Sequence, residues 1–122
     1  EPSVLISDGP SSSDATHQHP TMLIRSQTGS SQIALSWATD ADLGSGEGFH
    51  VVLKQKSSQG EWGALTALSG TTDGGAGSSP PAHPSEAPAI TTDGANLVVC
   101  WQEQENATSD SDFDIRCVRR GW

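Results

Sequence analysis

With 122 residues, a hydrophobic fraction of 33% and a net charge of −9, the chain has material for one modest domain with polar connections. Six basic residues against fifteen acidic ones exclude a nucleic-acid binder, because phosphate contacts need clustered Lys and Arg. No run of eighteen apolar residues offers a membrane-spanning helix, and two cysteines cannot make a four-cysteine zinc site.

No window carries sustained helical periodicity, so the expected class is all-β. In chain order, short strands are expected near Ser3–Ser7, Met22–Ser26, Gln32–Ala38 and Phe49–Lys56. A second set follows near Ala64–Ser69, Pro88–Thr92, Asn96–Gln102 and Phe113–Arg120. Gly-, Ser-, Asn- and Pro-rich turn signals bound each one. The two sets are a repeat. His19-Pro20 recurs as His83-Pro84, Trp37 as Trp101 and Phe49 as Phe113, each 64 positions on. Trp62 and Trp122 close the two copies, which gives unit one as 1–62 and unit two as 63–122. A repeat of this kind cannot bury its apolar faces alone and needs stacked neighbours.

The second unit reads Pro88-x-Ile90-x-x-Asp93-Gly94, an apolar strand ending in Trp101, an acidic loop, and a strand containing Asp114-Ile115. That order resembles blades of bacterial sialidase-like β-propellers of the Asp-box type. The resemblance covers both units and is clearer in the second. The Asp-box itself is degraded: Ser57-Ser58-Gln59-Gly60-Glu61-Trp62 lacks the aspartate, and unit two keeps only Gly121-Trp122. The chain also has no tyrosine, the nucleophile of true sialidases, so the resemblance implies blade architecture and not sialidase activity. It implies two four-stranded antiparallel blades, expected to close into a ring by homo-oligomerisation with the N-terminal strand completing the C-terminal blade; a piece of a longer propeller and an unrelated two-sheet sandwich are the alternatives. Trp37, Trp62, Trp101 and Trp122 are packing positions in that family.

In such a meander the long connections share one face, and ten of the fifteen acids lie in them. Loops held on a rigid scaffold commonly carry function, so this acidic face is the expected ligand surface. Asp40, Asp42, Glu47, Asp110 and Asp112 are its candidate ligand-binding residues, with a carbohydrate or calcium as the ligand. Alternating acids in "DADLGSGEG" and "SDSDFD" make Asp40, Asp42, Asp110 and Asp112 the candidate calcium set, because calcium favours carboxylate and carbonyl oxygens. His17, His19 and His83 are read as loop-entry residues and not as metal ligands. Cys100 and Cys117 lie on neighbouring strands, where either a disulfide or two buried thiols is open. No nucleophile elbow, phosphate loop or Cys/His dyad is present. The expected function is a non-catalytic, secreted, cell-surface or periplasmic binding and assembly module. A purely structural building block and a non-catalytic remnant of a larger glycosidase-like propeller are the alternatives.

Overall fold

A computed structural model describes residues 15–27, 29–40, 49–69, 85–104 and 113–122. Among them are seven strands and no helix. They are β1 (His17–Gln27), β2 (Ser30–Thr39), β3 (His50–Lys56), β4 (Thr66–Ala67), β5 (Ser85–Thr92), β6 (Asn96–Gln104) and β7 (Phe113–Gly121). The first sheet has the order β1-β2-β3-β4 and the second β5-β6-β7, with every neighbouring pair antiparallel.

Gly29, Gly60 and Gly94 all hold positive φ at the turns, where a side chain would strain the backbone. The β5–β6 turn is further tied by Asp93, whose Oδ1 accepts the backbone N–H groups of Ala95 (3.2 Å) and Asn96 (2.8 Å).

Two features of the repeat differ from its sequence form. The segment near Ala64–Ser69, which heads unit two in the sequence, hydrogen-bonds to β3 and completes the first sheet. Leu68 N–H donates to Val51 O, and Ser69 Oγ accepts from Val51 N–H, so the clasp extends past β4. The sheets therefore divide the chain between β4 and β5, and the second sheet has three strands among the described residues. The expected strand at Ser3–Ser7 lies outside them.

The second difference concerns proline. His19-Pro20 does not correspond to His83-Pro84, which lies outside the described residues, but to Ala87-Pro88. His19 and Ala87 both take positive φ, 51° and 49°, and each sits in a register break of the first strand of its sheet. Two residues there face one: His19-Pro20 oppose Trp37, and Ala87-Pro88 oppose Trp101. Proline suits a bulge because it has no N–H to give to the ladder. The left-handed backbone before it costs about 1 kcal/mol or more, offset by the tryptophan packed opposite.

The sheets pack on each other through one shared core. Ala34, Val51, Leu53 and Leu68 of the first meet Leu97, Val99 and Trp101 of the second, with Leu23, Ile90, Val118 and Trp122 around them. A backbone hydrogen bond from Ser85 N–H to Phe49 O fixes the crossing at one end. Because side chains alternate, each sheet has a second face turned away from this core. On the first sheet that face carries Met22 and Ile24, 58% and 52% exposed, beside Leu35 and Ile33. On the second it carries Ile115, 72% exposed, Phe113 and the Cys100–Cys117 pair. Neither is the polar outer face expected of a free-standing two-sheet sandwich.

Candidate ligand cleft

Cys100 and Cys117 are direct cross-strand partners on β6 and β7 and form a disulfide, with Cα atoms 4.1 Å apart. The alternation of each strand alone leaves this open; the hairpin register closes it.

Of the acidic candidates, Asp40 is described and Asp42, Glu47, Asp110 and Asp112 lie outside the described residues. Asp40 is exposed at the end of β2 and acts on its own chain. Its Oδ1 accepts the Thr16 N–H at 2.6 Å, and its N–H donates to Thr16 O, clasping the ends of β1 and β2. Among the described residues no cluster of three His, Cys, Asp or Glu side chains is placed to hold a metal ion. His17 accepts the Trp37 indole N–H through Nδ1 at 3.2 Å and meets that ring edge-on.

The four tryptophans divide into two kinds. Trp37 and Trp101 are buried opposite their bulges, and Trp101 donates its indole N–H to Glu103 Oε2 at 3.3 Å. Glu103 also accepts from Ser85 Oγ and pairs with Arg116, so a mostly covered carboxylate is well provided with donors. Trp62 and Trp122 are half-buried and line a cleft of about 350 Å³ at the short-turn end of the molecule. Gln32, Gln55, Lys56 and Glu61 complete its walls with Ser57 and Gly63.

Both indoles are held by turns. Trp62 follows the Ser57–Glu61 turn, closed by Gly60 N–H to Ser57 O (3.0 Å) and Ser57 N–H to Glu61 O (2.8 Å), and bridges back to Lys56. Trp122 donates its indole N–H to Thr92 Oγ1 at 3.3 Å, while Thr92 is locked into the Asp93 turn. From the other sheet, Gln55 Nε2 donates to Gly121 O at 3.4 Å and the Arg25 guanidinium lies 5.6 Å from the Trp122 ring centroid. Trp122 is thus positioned by both sheets. The sequence signal for this cleft is the pair of tryptophans closing the two units, each beside a polar turn. Trp122 also packs against the core cluster, in keeping with the packing role expected for it.

Arg119 binds Asp93 through Nε at 2.8 Å and through its terminal nitrogen. The Asn96 backbone N–H, followed by Arg119, holds the Asp93 carboxyl below the usual aspartate pKa. A depressed folded-state value stabilises the fold above the unfolded pKa and loses that contribution as pH falls through the folded one. Acid below about pH 4 is therefore expected to loosen the turn under Trp122. Denaturant midpoints measured between neutral pH and strong acid should fall less steeply in Asp93→Asn than in the parent. Equal slopes would remove Asp93 from the acid response.

Comparison with protein-family models, curated proteins and solved structures finds no match to the chain. The propeller resemblance accordingly rests on the residues quoted for it.

Proposed function

We propose that this chain is a non-catalytic assembly module whose two sheets are propeller blades, and that copies associate head to tail into a closed ring. The observation that carries this is the equivalence of its covered and uncovered faces. Ser36 and Leu53, paired on β2 and β3, are buried under the second sheet; their counterparts are Cys100 and Cys117, on the outer face. Val51 is fully buried in the same interface, and its counterpart Ile115 is 72% exposed. Conversely Leu97 and Val99, buried against the first sheet, correspond to half-buried Ile33 and Leu35 beside exposed Met22 and Ile24, although Trp37 and Val52 further along that face are already buried.

Each outer face is therefore a copy of the partner that the other needs. A second copy of the chain, laying its first sheet on this second sheet, repeats the contact already present inside one chain. Such a contact joins unlike surfaces and generates a ring when its rotation closes. With two blades per chain and about four to eight blades in propellers, two to four chains are needed.

The edge of β7 supports the same arrangement. Among the described residues it has no strand beside it, whereas β3 has β4. Val4-Leu5-Ile6-Ser7 resembles Thr66-Ala67-Leu68-Ser69 in sequence, and each stretch precedes the first strand of a sheet. In the ring, Ser3–Ser7 of the next copy is the strand that covers this edge, which removes a site for uncontrolled pairing. The disulfide fits an oxidising location, secreted, cell-surface or periplasmic.

Light scattering after size exclusion tests the proposal. The expected result is one discrete mass of two, three or four chains, with Ile115→Arg folded but monomeric. A folded parent that stays monomeric at every concentration would contradict it. Growth without limit would retain the head-to-tail contact but reject the ring.

A further inference from the structure

The geometry points to a saccharide-binding site in the Trp62–Trp122 cleft, at the opposite end of the strands from Asp40. The site lies within one chain and stands independently of assembly.

Three properties of the cleft select the ligand class. Its volume of about 350 Å³ is at the small end for ligand sites and suits one ring in preference to a nucleotide or a long chain. Two half-buried indoles, one from each repeat unit, supply apolar surface, and an indole face is complementary to the C–H face of a pyranose. The remaining lining is polar but electrically balanced. Gln32 and Gln55 each bring an amide that both donates and accepts, Lys56 brings donors and Glu61 acceptors. Lys56 and Glu61 offset each other within the lining and Arg25 lies over Trp122, so the cleft has no net negative charge to recruit a cation. A neutral ring with hydroxyls around its rim and C–H bonds on its face answers all three.

The cleft is also preorganised, which lowers the ordering cost of binding. Trp122 is held by Thr92, with the Arg25 guanidinium 5.6 Å from its ring centroid, and the Gln55 amide is anchored on Gly121 O. Gln55 still has a second amide hydrogen and its carbonyl oxygen to offer a hydroxyl.

The test is a two-dimensional amide NMR titration of the labelled whole chain with methyl glycosides of glucose, galactose, mannose, fucose and N-acetylglucosamine. At least one glycoside is expected to shift the indole N–H signals of Trp62 and Trp122 saturably, leaving those of Trp37 and Trp101 in place. Trp62→Ala should weaken that binding by about tenfold, the loss of one stacking contact. Gln32→Ala, a change at a half-buried polar residue outside the core cluster, should weaken it as well and covers the case in which Trp62→Ala fails to fold. No saturable shift with any glycoside would overturn the proposal. So would shifts that leave Trp62 and Trp122 unmoved, or a Gln32→Ala protein that binds like the parent.

Discussion

Trp101→Ala is expected to cost about 4 kcal/mol of folding stability, the largest single-residue effect among the described residues. The residue is 1% exposed and sits in the cluster through which the two sheets meet among the described residues. Removing the indole leaves a void between Leu97, Val99 and the first sheet, and water entering it does not restore the dispersion energy of the packed ring. It also leaves the Ala87-Pro88 bulge without the side chain it bends around, and deprives Glu103 of one donor. For a domain with a net stability of roughly 5–15 kcal/mol, such a loss is a large share of the whole. Urea unfolding followed by circular dichroism measures it, with Trp62→Ala as the comparison. Trp62 is half-buried at the cleft, so its replacement should cost well under half as much. Equal losses would mean that the core is not centred on Trp101.

Opening the disulfide is the second large effect. The bond closes a loop across 17 positions, and the chain-entropy account assigns such a loop about 3 kcal/mol. Cys100 and Cys117 already face each other on paired strands, so the bond holds a hairpin whose connection is long. The positions that correspond to them in the first sheet, Ser36 and Leu53, form no such link and sit under the second sheet instead. A covalent tie stands where the inner core is absent. The double variant Cys100→Ser and Cys117→Leu recreates the first sheet's pair, and it should unfold at lower urea than the parent. Reduction of the parent should move its midpoint in the same direction. A midpoint insensitive to both would show that the β6–β7 hairpin is fixed by its ladder alone.

Much of the fold is legible in the chain itself. The apolar runs at Gln32–Ala38 and Asn96–Gln102 are bounded by turn residues on both sides, and each lies within an observed strand. What stays hidden depends on register or on partners distant in sequence. Ala64–Ser69 looks like the start of a unit because it follows Trp62, but composition does not say which sheet edge a short strand will cover. The identical His-Pro dipeptides make a persuasive anchor. The backbone responds instead to a proline that fits a bulge opposite a tryptophan, and Ala87-Pro88 does this without a histidine. The disulfide turns on hairpin register, which a long loop between two strands does not supply.

The site is legible only in part. Of the acidic loop candidates only Asp40 is described, with its Oδ1 accepting the Thr16 N–H; Asp42, Glu47, Asp110 and Asp112 lie outside the described residues. The cleft is assembled from two tryptophans marked by their place at the unit ends and from Gln32, Gln55 and Lys56, which nothing in the spacing marks. Trp62 and Trp122 share a sequence rhythm with Trp37 and Trp101 but not their burial, because they stand at strand ends beside turns.

The most direct measurement of head-to-tail assembly uses two surface variants and a mixing experiment. Ile24→Arg spoils the outer face of the first sheet and Ile115→Arg that of the second, each at a residue more than half exposed. Each protein alone should be folded and monomeric by light scattering. Mixed in equal amounts, they keep one intact face apiece and should form a one-to-one dimer that grows no further. Two variants that remain monomeric after mixing, or that each assemble like the parent, would contradict docking through unlike faces.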